Sequence, residues 1–181
     1  MTKILITEFI DSQSLQNINK KFDVIYKKDA WQNKDFLERE IQKFDGIIVR
    51  NKTSLDKKIL INASNLKFIG RLGVGLDNID TEYCKKNNII VQPATGMNSD
   101  SVAEYVVNSS LTLLKKTHII KEQTLQGKWP RTSIVTKELK GKTLGLIGFG
   151  DISKKVLNLV NVFDVSCIAY DPFICLLYTS P

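Results

Sequence analysis

The chain has 181 residues, 43% of them hydrophobic and 25% charged, and its formal net charge is +7. This composition is ordinary for a soluble globular protein, and the length allows one large domain or two small ones. The sequence contains no dense basic run interleaved with aromatic residues. It therefore argues against nucleic-acid binding and favours solvated basic faces that attract anionic ligands.

Cysteine usage and hydropathy further limit the classes of protein that the sequence fits. Cys84, Cys167 and Cys175 are scattered and form no C-x-x-C pair, so we predict neither a metal site nor a disulfide framework. Reduced thiols fit a cytoplasmic protein. The apolar run within residues 1–9 is too short for a secretory signal, and no later stretch is long enough to span a membrane.

The first 96 residues alternate short apolar runs with helical patterns. The predicted strands cover residues 3–7, 24–26, 46–49, 66–72 and 89–91. The predicted helices begin at Asp11 or Ser12, at Asn33, near Leu55 and at Asp80. Strands that alternate with helices predict a parallel, doubly wound, flavodoxin-like sheet with a core of its own.

A long helix is predicted to follow the break at residues 93–96. Ser101 and Glu104 match a capping box, in which each side chain satisfies a backbone N–H group of the other residue. A further helical piece ends near Gly127, since glycine is a common helix stop. We therefore divide the chain into domains of residues 1–96 and 97–181.

Residues 143–171 predict strand, glycine turn, helix, strand and a final acid. Gly148 turns the chain off the first strand, and Gly150 lets a pyrophosphate approach the backbone at a helix N-terminus. Asp171, roughly 20 residues further on, is placed to accept hydrogen bonds from ribose hydroxyls and to repel a 2′-phosphate. No arginine follows Asp171 to hold that phosphate, so the sequence predicts NAD as the cofactor.

Two residues depart from the ideal pattern of such a turn. Ser153 occupies the third glycine position. Asp151 places a negative charge near the proposed pyrophosphate, at a cost on the order of 1 kcal/mol if solvated, or else caps the helix. The alternative is a glycine turn in an unrelated α/β domain, which the flanking strand, helix and acid disfavour.

Several stretches resemble landmarks of the D-isomer-specific 2-hydroxyacid dehydrogenases, closest to the phosphoglycerate dehydrogenase branch. They are residues 70–80 (GRLGVGLDNID), 101–104 (SVAE), 127–129 (GKW), 138–145 (ELKGKTLG), 148–153 (GFGDIS) and 171–173 (DPF). The resemblance runs to about Phe173. It implies two Rossmann-like or flavodoxin-like doubly wound domains, the first binding substrate and the second, which is incomplete, binding NAD.

The resemblance also implies an NAD-linked interconversion of a small anionic 2-hydroxy acid and its 2-oxo acid, as in serine biosynthesis, in a cleft between the domains. The substrate-binding residues it implies are Arg50, Arg71, Gly73, Val74, Gly75 and Asn78. The cofactor-binding residues it implies are Val74, Gly148, Gly150, Asp151, Ile152 and Asp171. Arg50 would face an anionic tail of the substrate, because a guanidinium suits a phosphate.

Plainer structural roles stay open for some of these positions. Arg50 equally suits a solvated cation at a strand end. Asp77 and Asp80 suit a turn and a helix cap better than catalysis. His118, the only histidine, lies outside the motifs and suits a surface position.

The catalytic Arg, Glu and His of the family follow the ribose-binding acid, and none has a counterpart here. The resemblance therefore implies no catalytic residue in this chain, which we expect to be inactive as a fragment. Residues 174–181 depart from the family and predict a truncated or misread end. The full-length protein is expected to be a homodimer or homotetramer.

Two other functions stay open. One is a non-enzymatic, NAD-sensing regulator of the corepressor type from the same superfamily. The other is a relative of alanine dehydrogenase, which the loop at residues 71–78 disfavours.

Overall fold

The computed structural model describes residues 1–174. Its backbone contacts divide the chain between Thr95 and Gly96 into two compact units, called here the N-terminal unit and the C-terminal unit. Residues 175–181, which include Cys175 and most of the predicted divergent tail, lie outside the described residues.

The N-terminal unit is a five-stranded parallel sheet with helices between its strands. Its strands are β1 (Lys3–Ile6), β2 (Asp23–Tyr26), β3 (Gly46–Val49), β4 (Phe68–Arg71) and β5 (Ile90–Pro93). Its helices are α1 (Ser12–Asn19), α2 (Lys34–Glu40), α3 (Lys57–Leu60) and α4 (Thr81–Lys86). The strand order β2-β1-β3-β4-β5, parallel throughout, confirms the predicted doubly wound α/β fold.

Both faces of this sheet are covered, which is why its strands appear as nearly continuous apolar runs in the sequence. All four residues of β3 are buried. Alternate strand residues point to opposite faces, so Ile47 and Val49 join one core cluster while Ile48 joins another. Helices α2, α3 and α4 contribute buried residues to the first cluster, and α1 packs partly buried residues against the second.

Short polar side chains begin the helices of this unit. The carboxylate of Asp11 accepts the Ser14 N–H at 2.8 Å, and that of Asp80 accepts the Tyr83 N–H at 2.9 Å. Asn33 caps α2 in the same way. These caps satisfy N–H groups that the first helical turn leaves unpaired, and they confirm the helix starts expected from the sequence.

The helix expected near Leu55 begins two residues later than that position. Leu55 forms a parallel β-bridge with Ile79, and α3 starts after Asp56, whose carboxylate accepts the Ile59 N–H at 3.2 Å. Leu55 therefore lies in the β-bridge and not in the helix, and its buried side chain joins the first core cluster.

The C-terminal unit contains helices α5 (Ser99–Lys115), α6 (Thr117–Leu125) and α7 (Asp151–Asn161) and strands β6 (Thr143–Ile147) and β7 (Ser166–Tyr170). The two strands are parallel. Helices α5 and α7 pack together over one face of this pair, around a core of Ala103, Leu139, Val156, Val160 and Val165. The predicted order of strand, turn, helix and strand is confirmed.

The capping box predicted at Ser101 is wrong. Helix α5 begins at Ser99, so Ser101 lies inside its first turn, and the N-cap residue Asn98 makes no side-chain capping bond. Gly96 has a positive φ of 78°, which glycine adopts readily. The chain therefore turns early, and the Ser99 N–H donates to the Gly96 carbonyl at 3.2 Å.

One face of the β6–β7 pair is bare within residues 1–174. Leu144, Leu146 and Cys167 pack against the helices, whereas Ile147 on the other face is 96% exposed and Ile168 and Tyr170 are also exposed. The described part of the second sheet is thus half of a doubly wound arrangement. No helix of the described residues has the length and apolarity that crossing a membrane requires.

Candidate functional site

The carboxyl ends of the N-terminal unit's strands are where a ligand is expected. In open α/β sheets, ligands bind beyond the carboxyl ends of the strands, at the point where the strand order reverses. In the order β2-β1-β3-β4-β5 this point lies between β1 and β3. The residues that follow these two strands, Thr7 to Phe9 and Arg50 to Thr53, therefore form the first part of the candidate site.

Arg50 lies exposed at the end of β3. Its guanidinium donates a long hydrogen bond of 3.5 Å to the Phe9 carbonyl and lies 5.9 Å from the centre of the Phe9 ring. It lines two surface cavities, of about 570 Å³ and about 220 Å³. Among residues 1–174 it forms no ion pair, so its charge is available to an anion.

The smaller cavity is rich in charge. Lys28 and Lys52 line it together with Arg50, and the carboxylate residues Glu8 and Asp29 lie beside them. The Lys52 ammonium lies 4.6 Å from the centre of the Trp31 ring, a cation–π contact that restrains the side chain. Cations outnumber acids in this cavity, which favours anionic ligands.

Glu8 is a buried acid that the sequence analysis did not single out. It is 4% exposed, and its carboxylate accepts N–H groups from Arg50 at 2.8 Å, from Lys52 at 3.1 and 3.2 Å, and from Thr53 at 2.9 Å. Burial raises the pKa of Glu8, but the hydrogen bonds from Thr53, Arg50 and Lys52 together outweigh burial and hold that pKa below its usual value. The signal in the sequence is an acid directly after an apolar strand.

Asn78, implied as a substrate-binding residue, is engaged within the protein. Its side-chain amide donates to the Arg50 carbonyl at 2.9 Å and to the Thr53 carbonyl at 2.7 Å. The backbone carbonyl of Asn78 accepts the Leu55 N–H at 2.8 Å. Asn78 thus ties the loop after β4 to the loop after β3, and its amide N–H groups are not available to a substrate.

Arg71 and Gly73, also implied as substrate-binding residues, pack against each other. A Cβ atom at Gly73, where φ is +153°, would collide with the Arg71 guanidinium. The Gly73 N–H donates to the Arg71 carbonyl at 2.8 Å, and the Arg71 Nε is buried without a partner among the described residues. Gly73 therefore shapes the loop, and its N–H group is already bonded.

Val74 and Gly75 present the open part of this loop. Among residues 1–174 neither backbone N–H group has a hydrogen-bond partner. Val74 is 46% exposed, and a Cβ at Gly75 would lie 2.8 Å from the Asp77 carboxylate. Two adjacent unpaired N–H groups in a glycine-containing loop can receive a carboxylate.

The glycine elbow of the C-terminal unit lies between β6 and α7. Gly148 has a φ of +87° and donates its N–H to the Tyr170 carbonyl at 2.7 Å. Asp171 follows β7 and lies at the elbow: its carboxylate accepts the Phe149 N–H at 2.7 Å and the Phe173 N–H at 2.9 Å. These two hydrogen bonds hold the pKa of Asp171 below its usual value, and the bond from Phe149 has the larger effect. The acid is therefore ionised and oriented at the elbow.

Asp151 begins helix α7 and does not cap it, so the suggested capping role is wrong. The N-cap residue is Gly150, without a side-chain bond. The first N–H group of α7 that forms a helical hydrogen bond is that of Lys154, which donates to the Gly150 carbonyl at 3.1 Å. The N–H groups of Asp151 and Ile152 therefore stay unpaired within the described residues, as an anion at a helix N-terminus requires.

Ser153 has a more specific role than its small size suggests. Its hydroxyl donates to the Gly148 carbonyl at 2.8 Å, which closes the elbow from the helix side. A third glycine would permit the same close approach but would lack this bond. No group of three or more His, Cys, Asp or Glu residues in the described part of the chain could hold a metal ion.

Within the C-terminal unit, a parallel strand pair, a glycine elbow that opens a helix and an acid after the next strand are together typical of α/β proteins that bind dinucleotides. The family model of the D-isomer specific 2-hydroxyacid dehydrogenase catalytic domain matches residues 4–170. The chain belongs to this family.

Individual relatives carry several names within it. The chain is 35% identical to an (S)-sulfolactate dehydrogenase of Chromohalobacter salexigens, over 96% of this chain and 56% of the relative. It is 33% identical to a D-3-phosphoglycerate dehydrogenase of Archaeoglobus fulgidus, over 95% of this chain and 32% of the relative. The chain thus spans about half, or less, of the length of these relatives.

A solved structure agrees with the fold. The D-lactate dehydrogenase of Aquifex aeolicus, in complex with NAD and lactic acid, matches 94% of this chain with a TM-score of 0.82 and 28% identity. This chain covers 52% of that structure.

Proposed function

We propose that the chain is the substrate-binding domain and the first part of the NAD-binding domain of an oxidoreductase that interconverts a 2-hydroxy acid and its 2-oxo acid. The observation that carries this proposal is the elbow at Gly148. There an ionised acid, Asp171, lies beside a helix N-terminus whose first N–H groups are unpaired among the described residues. Residues 1–96 would bind the acid substrate, and residues 97–181 would begin the cofactor domain.

The cofactor proposed is NAD. The N–H groups of Asp151 and Ile152 would receive the pyrophosphate, with Gly148 and Gly150 allowing its close approach. The Asp171 carboxylate would accept hydrogen bonds from the ribose. Two solved relatives at 28% identity, the lactate dehydrogenase and a 3-phosphoglycerate dehydrogenase of Entamoeba histolytica, contain NAD, which supports the choice. When bound, the oxidised cofactor would accept a hydride from the hydroxy acid, and the reduced cofactor would return it to the oxo acid.

The substrate proposed is a small 2-hydroxy acid with a second anionic group. The unpaired N–H groups of Val74 and Gly75 would receive its carboxylate. Arg50, which has no ion pair among the described residues, would receive the second group. The names of the sulfolactate and phosphoglycerate relatives each specify such a group, a sulfonate or a phosphate.

We propose that the 181-residue chain binds but does not catalyse. Hydride transfer to a carbonyl needs a group that gives a proton and polarises the oxygen, and the catalytic Arg, Glu and His implied by the family have no counterpart here. His118 is exposed on α6. Phosphoglycerate dehydrogenase-like activity, in a cytoplasmic homodimer or homotetramer, would belong to a full-length protein.

The test is an NMR titration of the 181-residue chain with NAD. We expect amide shifts confined to the elbow and its acid, at Gly148, Gly150, Ile152 and Asp171 in particular. A matched titration with adenosine, which has the ribose but no phosphate, should shift the Asp171 region and leave the Ile152 amide nearly unchanged. Shifts scattered over the surface, or none at millimolar NAD, would contradict the proposal.

A further inference from the structure

The loop that carries Arg50 has no regular secondary structure of its own, so other groups must fix its backbone. Residues 50–53 connect β3 to the bridge at Leu55, with bends at residues 51 and 52. Three of their N–H groups and two of their carbonyl groups are held by side chains outside the loop. Glu8 binds the N–H groups of Arg50, Lys52 and Thr53, and Asn78 binds the carbonyls of Arg50 and Thr53.

A further contact lies beneath the same loop. The hydroxyls of Thr7 and Thr53 are 2.7 Å apart, and both residues are fully buried. The Thr7 hydroxyl also contacts the Ile48 carbonyl at 3.3 Å. Residues 7 and 8 at the end of β1 therefore set the position of the whole loop, although they lie more than forty positions away in sequence.

The charge of Glu8 is met by hydrogen bonds from backbone N–H groups and from Thr53, and not by cationic side chains. No lysine or arginine nitrogen of the described residues forms an ion pair with its carboxylate. A carboxylate that accepts several backbone N–H groups is strongly held, since charge-assisted hydrogen bonds are about twice as strong as neutral ones. Glu8 thereby fixes Arg50 without neutralising it.

This arrangement also restricts how the loop meets a ligand. Because the N–H groups of Arg50, Lys52 and Thr53 point to Glu8, the loop cannot bind an anion through them. An anion is left with the side chains of the loop and the Asn51 N–H group, which has no partner among the described residues. Arg50 itself has one weak hydrogen bond, of 3.5 Å to Phe9, so its direction depends on where the backbone places it.

We propose that Glu8 is a positioning residue for substrate recognition: it holds the 50–53 loop so that Arg50 points at the second anionic group of the substrate. This inference rests on the proposed function, because it takes Arg50 to be the residue that binds that group. Glu8 does not touch the substrate. Its contribution passes through the backbone N–H groups of Arg50, Lys52 and Thr53.

The test compares two ligands on the full 181-residue chain: D-3-phosphoglycerate, which carries a carboxylate and a phosphate, and D-lactate, which carries a carboxylate alone. The variants are Glu8→Gln, Arg50→Ala and the double variant, with the exposed Glu82→Gln as the control for lost charge. Glutamine keeps the size of the side chain and one acceptor oxygen. Hydrogen exchange at Arg50, Lys52 and Thr53 reports the loop directly.

We expect Glu8→Gln to weaken the binding of D-3-phosphoglycerate about fivefold and to leave the binding of D-lactate unchanged, because only the phosphate contact is displaced. In Glu8→Gln, hydrogen exchange at the amides of Arg50, Lys52 and Thr53 should accelerate. The control Glu82→Gln should change neither phosphoglycerate binding nor this exchange. The double variant should bind phosphoglycerate no more weakly than Arg50→Ala alone, since the two residues act through one contact.

The outcomes separate the two claims. If Arg50→Ala weakens phosphoglycerate but Glu8→Gln weakens both ligands equally or neither, the positioning role is wrong and the proposed function stands. A Glu8→Gln variant that only lowers thermal stability overturns the role in the same way. If Arg50→Ala has no effect on phosphoglycerate, or the wild-type chain binds neither acid, the substrate assignment fails and the Glu8 inference fails with it.

Discussion

The two units of this chain bury their strands differently. In the N-terminal unit every residue of β3 is buried, and side chains pack on both faces of a five-stranded sheet. In the described part of the C-terminal unit, two strands are covered on one face by α5 and α7, and Ile147 on the other face is 96% exposed. A two-stranded sheet with one bare face is a marginal structure. Among the described residues, the candidate substrate loops therefore lie on a sheet that is packed on both faces, whereas the elbow lies on a sheet that is packed on one.

Core truncation should show this difference most strongly. We expect Ile47→Ala to destabilise the N-terminal unit by about 3 kcal/mol, because Ile47 is fully buried in its larger core cluster. Hydrogen exchange at the β1 and β3 amides measures the loss. The control is Ile90→Ala, whose side chain is 66% exposed and should cost little. In the wild-type chain, β6 and β7 amides that exchange as slowly as those of β3 would contradict the comparison.

The two glycines of the elbow should separate stability from binding. Gly148 has a φ of +87°, so Gly148→Ala should strain the backbone and destabilise the C-terminal unit by about 1 to 2 kcal/mol. Gly150 has a φ of −79°, and a Cβ there would meet no atom within 4 Å. Gly150→Ala should therefore leave stability nearly unchanged and weaken NAD binding, because the added methyl group faces the proposed pyrophosphate.

Thermal unfolding and NAD titration of these two variants provide the check. Equal losses of stability would show that the positive φ of Gly148 is not what the elbow requires. An unchanged affinity in Gly150→Ala would place the pyrophosphate elsewhere.

Low pH should lower the stability of the N-terminal unit through Glu8, by less than the substitutions above do. The pKa of Glu8 is lowered in the folded chain, so its contribution to stability is present above the unfolded value of about 4.3 and is lost as pH falls through the folded value. We expect the stability difference between wild type and Glu8→Gln, about 1 kcal/mol near neutral pH, to shrink below about pH 4. Urea titrations at pH 7 and pH 3.5 measure it. A difference that grows on acidification would show that the carboxylate is not held ionised.

Local patterns were enough to predict most of the fold. The run Gly46–Val49 predicts a buried strand, and the caps at Asp11, Asn33 and Asp80 mark where helices begin. The capping box at Ser101 failed because the positive φ of Gly96 starts the helix earlier, and a conformation of that kind leaves little trace in the neighbouring residues.

The candidate site was harder to predict, since its supports are contacts between distant positions. The hydrogen bonds from Arg50 and Lys52 to Glu8 span 42 and 44 residues, and those from Asn78 to Arg50 and Thr53 span 28 and 25. No periodicity reports such pairs. The motif identified the loops from Arg71 to Asn78 and from Gly148 to Ile152, but the unpaired N–H groups and the engaged amide of Asn78 became visible only in three dimensions.

We propose that Asp171 at the elbow selects a dinucleotide by its ribose. Parallel calorimetric titrations of the 181-residue chain with NAD and with NADP test it most directly, together with Asp171→Ala and with Glu122→Ala as an exposed acid on α6. We predict that the wild-type chain and Glu122→Ala bind NAD at least about tenfold more tightly than NADP, and that Asp171→Ala loses this preference, because the carboxylate repels a 2′-phosphate. Equal affinities in the wild-type chain, or an unchanged preference in Asp171→Ala, would contradict it.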